Sequence, residues 1–248
     1  MRRNPFCLLV SLSPCLLVFL PTPAAANEKE ARALVERAIK AHGGEAALTK
    51  TLVCKRTDTG TTMVAGRDSP FTSYVTLSLP DKVRLQIDLN RKIKTTVVLN
   101  GEKGWQSDGG PAVQMLSQRV KELREEAYLW WLTTLVPLTK SGFTLSTLPE
   151  IKIEGEPAAG VKVVSRGHHD TRMYFSKRTG LLVKVECQST EAGVKVDKEY
   201  FYSGHRDFDG ARLHTKELVK INGQKRTAFT VSDYSFPDKI DGSVFSKP

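Results

Sequence analysis

The segment Gly104-Trp105-Gln106-Ser107-Asp108-Gly109 sets a serine among glycines, the composition of a nucleophile elbow. That turn needs glycine two residues before the serine, where the backbone reverses between strand and helix, and Trp105 stands there instead. His168-His169-Asp170 offers two imidazoles and a carboxylate, donor types that a zinc site uses. Adjacent side chains on a strand point to opposite faces, however, and no H-E-x-x-H helix or cysteine pair accompanies them, so a solvated turn is the expectation. His205 and His214 have no evident partner, and His42, at the end of a helical pattern, reads as a contact with the helix C-terminal dipole. Which carboxylates approach to glycosidase distance is a three-dimensional property, and no sequence feature singles out a pair. The expectation is no catalytic residue, no metal ligand and no cofactor.

Cysteine use is sparse. Cys7 and Cys15 lie in the N-terminal segment, leaving Cys54 and Cys187, each on the apolar side of a strand pattern. Two buried thiols is one reading; a disulfide in an oxidising compartment is the other, decided by the distance between the strands.

The first 26 residues have the form of a secretion signal. Arg2 and Arg3 make a positive start, an apolar run follows from Phe6 to Leu20, and Ala24-Ala25-Ala26 offers a cleavage site of small residues. A periplasmic protein beginning near Asn27 is therefore expected, with lipidation at Cys15 disfavoured by Pro14 and by the apolar run continuing past it. Residues 27–248 are read as a single domain, and nothing Pro- or Ser-rich divides them. Lys plus Arg exceeds Asp plus Glu by 10 over the whole chain. The basic residues are spread among acidic ones instead of forming a block, which argues against nucleic acid as a partner. No sequence feature calls for an oligomer, so a monomer is expected.

Two helical patterns stand out. Glu28 to His42 places Ala31, Leu34, Val35, Ala38 and Ile39 on one face, and Gly43-Gly44 ends it. Residues 113–138 place Val113, Leu116, Val120, Leu123, Ala127 and Trp130 on one stripe, with Pro111 as a first-turn proline. Beyond Tyr128 the residues Leu129, Trp130, Trp131, Leu132, Leu135, Val136 and Leu138 cover every side. Leaving these in water would forgo on the order of 10 to 20 kcal/mol. They are either ordinary core or a lid over an apolar cavity that a ligand shares.

The rest has strand period. Residues 82–89 alternate without a fault: Val83, Leu85, Ile87 and Leu89 point one way, Lys82, Arg84, Gln86 and Asp88 the other. Residues 71–79 alternate likewise, and strands are expected near 95–99, 103–106, 143–148, 150–154, 160–165, 171–175, 181–188, 194–202, 213–221 and 225–234. Short joints such as Asn100-Gly101 and Asn222-Gly223 make successive strands antiparallel neighbours. A meander of about ten to twelve strands, each apolar on one face, must double into a sandwich or curl. Two amphipathic helices favour curling: a mainly β chain with α elements, folded as a curved antiparallel half-barrel whose concave face the helices cover.

In this order the motifs resemble the bacterial outer-membrane lipoprotein-sorting family, the LolA/LolB-like periplasmic carriers. The resemblance rests on the signal segment, an opening helix ending Lys40-Ala41-His42-Gly43-Gly44, and the pair Lys82-Val83-Arg84-Leu85 to Val97-Val98-Leu99-Asn100-Gly101. To these it adds the central helix and the closing stretch from Asp207-Phe208-Asp209-Gly210 to Ser243-Val244-Phe245. The resemblance implies an apolar concavity holding acyl chains of lipids or lipoproteins, with envelope membrane proteins as further partners. It transfers no ligand residue by position. The candidate cavity and lid residues come from pattern alone: Val75, Leu77, Val83, Leu85, Ile87, Val97, Leu99, Trp105, Met115, Leu116, Leu129, Trp130, Trp131, Leu132 and Leu135. Besides a lipid carrier or sensor, an envelope protein-interaction module without lipid cargo and an unrecognised hydrolase are alternatives.

Overall fold

The computed structural model describes residues 23–248, so most of the expected signal segment lies outside the described residues. Helix α1 (Pro23–Ala41) buries Ala31, Val35, Ala38 and Ile39, as its periodicity requires, and a short α2 (Glu45–Lys50) follows. The turn between them uses Gly43 at φ 104, where a Cβ would lie 1.9 Å from the Gly210 carbonyl oxygen. Both the left-handed backbone and the close approach therefore require glycine there.

Six strands come next: β1 (Val53–Val64), β2 (Arg67–Ser78), β3 (Lys82–Leu89), β4 (Ile93–Asn100), β5 (Lys103–Ser107) and β6 (Val113–Gln114). Helix α3 (Ser117–Thr133) and a 3-10 turn (Val136–Thr139) cross to the second series. That series is β7 (Phe143–Ile153), β8 (Glu156–Ser165), β9 (Thr171–Ser176), β10 (Leu182–Glu191), β11 (Val194–Ser203), the small hairpin β12 (Arg206–Phe208) and β13 (Ala211–Leu213), β14 (Lys216–Ile221) and β15 (Gln224–Ser235).

Thirteen strands form one antiparallel sheet in the order β6-β5-β4-β3-β2-β1-β15-β14-β11-β10-β9-β8-β7, while β12 and β13 pair separately. The sheet does not close, so the half-barrel expectation holds, with a larger strand count. The first and last strands pair along Lys55↔Ser235 to Thr62↔Thr227, which joins the two meanders at the middle of the sheet.

The apolar core on the concave face is divided in two. Val75, Leu77, Val83, Val97 and Leu99 pack with Val120, Leu123 and Ala127 of α3. Leu145, Val161, Val163, Met173, Phe175 and Val185 pack with α1, with the end of α3 and with Leu135, Val136 and Leu138. On the opposite face Phe245 of the C-terminal 3-10 turn is buried, and Arg84 and Asn100 donate to the Val244 and Phe245 carbonyls.

Several expectations need correction. The central helix begins at Ser117, not after Gly110, because the edge of β5 takes the preceding residues as a strand: Gln106 pairs with Val113, Trp105 with Gln114, and the Met115 N–H donates to Gly104. Pro111 is therefore not a first-turn proline, and Val113 and Leu116 are 64% and 80% exposed instead of lying in the stripe. The helix stops at Thr133, since Leu135 takes φ 64 and the chain tightens into the 3-10 turn. The strands expected at 143–148 and 150–154 are one strand, β7, with an irregularity between Leu148 and Ile151. The strand expected at 213–221 begins only at Lys216, because 211–213 pair back on β12. Cys54 and Cys187 are both free, and burial pushes each thiol pKa up to about 12.

Candidate site beneath the covering helix

Register decides which candidate residues can share a cavity. Val75, Leu77, Val83, Leu85, Ile87, Val97 and Leu99 stand on one face of β2, β3 and β4 through the pairs Val75↔Leu85, Leu77↔Val83, Val83↔Leu99 and Leu85↔Val97. Trp105 does not join them. It pairs with Val98, on the opposite face, while Gly104 turns inward to a place where a Cβ would lie 3.1 Å from both Met115 and Val120. The inward position is tight and is filled by the hydrogen of glycine, while the β4–β5 pairing places Trp105 on the outside.

Leu129, Leu132 and Leu135 are buried on the second half of the wall, and Trp130 packs against the first. Trp131 lies on the outer flank, tilted against Tyr128 and Phe143, and lines an open groove of about 720 Å³ with Met115, Arg124 and His168. Leu116 is outside the cavity in solvent.

The covering helix is tied down by polar contacts on one flank. Buried Glu122 accepts from the Gly193 N–H at the tip of the β10–β11 hairpin, at 3.0 Å. Burial opposes its charge, but this bond and those from Gln118 and Arg119 outweigh it and lower its pKa. The Tyr128 hydroxyl bonds Ser165, and its ring stacks on His168 at 3.5 Å, with His168 Nδ1 also 3.1 Å from Glu125. The two histidines of the 168–169 pair thus belong to a turn contacting the helix. Among the described residues no cluster of three or more His, Cys, Asp or Glu could hold a metal. Ser107 donates to the Gly110 carbonyl at 2.6 Å, a loop contact.

Where the two meanders meet, the wall becomes polar. Cys54, Arg56 and Asp58 follow at alternate positions on β1, all facing inward beside Leu77, Val75 and Ser73. Arg56 Nε lies 3.2 Å from Asp58 Oδ1, and Ser73 donates to Asp58 Oδ2 at 3.2 Å. From β14, buried Glu217 places Oε2 3.3 Å from His214 Nε2, and the Tyr234 hydroxyl donates to the His214 carbonyl. Burial raises the Asp58 pKa, with Arg56 pulling it back. Burial also works against the charge on Arg56, but Asp58 and the other acidic neighbours outweigh it and keep the guanidinium cationic.

His42 is a pin rather than a dipole contact. Its Nδ1 donates to the Arg212 carbonyl at 2.5 Å and its Nε2 accepts the Leu182 N–H at 3.0 Å, tying α1 to β13 and β10. His205 Nε2 lies 3.1 Å from the Leu182 carbonyl. Burial lowers both imidazole pKa values to about 4. No sequence signal announced Arg56, Asp58, His214 and Glu217 as a group, although polar residues two and four places after inward Cys54 on a strand were readable.

A cavity of about 90 Å³ lies over this polar seam, lined by Arg56, Trp130, Thr133, Tyr202, His214 and Glu217 among others. It has room for a few ordered waters and is well below the roughly 300 Å³ minimum of a ligand pocket. A larger space, about 780 Å³, is an open groove lined by residues including Val183, Phe201, Leu218, Ala228, Arg212 and Lys216. Phe201, Leu218 and Ala228 are register partners on the face away from α3.

No family model matches the sequence, and no curated protein matches it either. Solved structures do match. The LolA superfamily protein NE2245 from Nitrosomonas europaea is 13% identical with a TM-score of 0.57, covering 88% of this chain and 97% of that one. A putative outer membrane lipoprotein-sorting protein domain from Vibrio parahaemolyticus is 11% identical at TM-score 0.53, covering 86% and 97%. A DUF1329 family protein from Desulfovibrio piger is 11% identical at TM-score 0.53, covering 87% and 97%. The chain has the fold these proteins share, as the sequence resemblance implied.

Proposed function

We propose that this protein binds acyl chains of lipids or lipoproteins in the periplasm, as a carrier or sensor without catalysis. The observation that carries the reading is the covering segment itself. Helix α3 and the 3-10 turn bury Leu129, Leu132, Leu135, Val136 and Leu138 on the concave wall. The segment is interrupted at Leu135 by a left-handed residue, and the polar ties of α3 to buried partners lie along one flank, with an exposed Arg124–Glu102 pair on the other. Hydrocarbon contributes about 0.8 kcal/mol per buried methylene, so an acyl chain can take the place of these side chains on the wall. With only about 90 Å³ free, it enters by displacing the cover rather than by filling a preformed hollow. The lipoprotein-sorting description of the Vibrio relative and its shared fold support the same reading. Among the described residues no helix is long and apolar enough to cross a membrane. Residues 27–248 are read as one domain, a reading supported by the β1–β15 pairing that joins the two meanders, and the domain is taken to act as a monomer.

The test is lipid extraction and mass spectrometry of the purified mature protein, followed by rebinding of a fluorescent acyl probe to the stripped protein. Bound lipid, and loss of amide-exchange protection over 117–139 on probe binding, are expected. A protein that carries no lipid, binds no probe and keeps 117–139 fully protected would overturn the proposal. The open groove of about 780 Å³ favours a second reading, in which that face binds an envelope protein. Cross-linking from Phe201 or Leu218 positions in intact envelopes distinguishes it.

A further inference from the structure

The wall beneath α3 is apolar at both ends and charged in the middle, and the charged middle is incompletely bonded. Arg56 Nε and Asp58 Oδ1 are sealed from solvent, and neither completes a hydrogen bond of proper geometry; buried His214 Nε2 is in the same condition. Asp58 is 3% exposed and Glu217 7%. Arg56, His214 and Glu217 line a cavity, with Asp58 set behind Arg56, and its other walls mix Leu48, Leu77 and Leu213 with His42, Thr51 and Tyr202, beneath Trp130 and Thr133 of the covering helix. The Arg56 side chain is 13% exposed and its Nε is sealed, and none of its five N–H donors makes a hydrogen bond among the described residues. The open capacity of the seam is therefore mainly that of a donor.

Charge narrows what could accept. A ligand anion attracted by Arg56 would also face the carboxylates of Asp58 and Glu217; a cation would face Arg56. An uncharged acceptor meets neither penalty. Resting on the acyl-binding reading above, we infer that the Arg56 seam receives the carbonyl oxygen of an acyl ester or amide, while the chain lies along the adjoining apolar wall. The ligand class is thus an esterified or amide-linked acyl group, not a free fatty acid or a bare hydrocarbon.

Stripped protein loaded with a fluorescent acyl probe is titrated with methyl palmitate, palmitate and hexadecane. The ester should displace the probe at about tenfold lower concentration than either of the others, the scale of one hydrogen bond to a charged group. Arg56→Met keeps the length of the side chain but removes every N–H donor, and should abolish the preference while hexadecane displacement stays the same. Glu217→Gln removes one carboxylate and should raise palmitate binding relative to the ester, a readout that stands even if the arginine variant does not fold. Equal displacement by ester and hexadecane, tightest binding of palmitate, or an Arg56→Met protein with its preference intact would each overturn the inference and leave the carrier reading standing. Failure of all three compounds and the probe to bind would take down both.

Discussion

His42 should make this fold lose stability in mild acid, by an amount the structure sets. The imidazole is buried, with both nitrogens engaged by backbone groups 170 and 140 residues away. Protonation would turn Nε2 from acceptor into donor and break the bond from the Leu182 N–H. The folded state accordingly keeps the ring neutral down to about pH 4, whereas in the unfolded chain it takes a proton near 6.5. Between those values the unfolded state binds more protons, so this contribution is fully present above pH 6.5 and is lost as pH falls toward 4. A shift from 6.5 to about 4 corresponds to about 3 kcal/mol, of which roughly 2 kcal/mol is gone by about pH 5. Urea unfolding of wild type and His42→Asn at pH 7 and pH 5 isolates it. Asparagine cannot protonate and cannot reach both partners, so the variant should be about 1 to 3 kcal/mol less stable at pH 7. It should then lose about 2 kcal/mol less than wild type on going to pH 5. Equal losses in the two proteins would refute the assignment of His42 as a neutral buried pin.

Other consequences are as direct. Gly43→Ala sets a Cβ 1.9 Å from the Gly210 oxygen at φ 104, whereas Gly44→Ala at φ 89 meets nothing within 4 Å. Thermal melts should show the first as the more damaging, by more than about 1 kcal/mol. Glu122→Ala removes the acceptor for the Gly193 N–H and should cost about 1 to 3 kcal/mol, with faster hydrogen exchange at Gly193. If that amide exchanges unchanged, the helix is not held there. Buried Cys54, with its pKa pushed up to about 12, should react with a thiol reagent only after unfolding, while half-buried Cys187, its pKa also about 12, should react in the native protein but more slowly than after unfolding. Rapid labelling of Cys54 in the native protein would contradict the packing described.

Much of the architecture is written in period alone. Strand β3 was legible to the residue because Val83, Leu85, Ile87 and Leu89 alternate with charged and polar neighbours, and a pleated strand with one wet face permits no other reading. Helix α1 was legible through Ala31, Val35 and Ala38 and its terminal glycines. Val113 and Leu116 misled because they fit the helical stripe, yet the open edge of β5 captured 113–114 by main-chain bonds that side-chain pattern does not encode. Trp105 misled because apolarity was taken to mean inward. The β4–β5 register pairs it with Val98 on the other face and turns Gly104 inward against Met115 and Val120.

By itself, then, the sequence determined the antiparallel curved sheet, its two covering helices and the one-sidedness of its strands, since these follow from local periodicity and short turns. Only the tertiary structure decided that the covering helix leaves about 90 Å³ beneath it, and that Arg56, His214 and Glu217 meet there, with Asp58 paired to Arg56. They come together because β1 pairs with β15, across nearly the whole chain. No local signal carries a contact of that separation, and the free volume depends on how side chains from distant strands interlock.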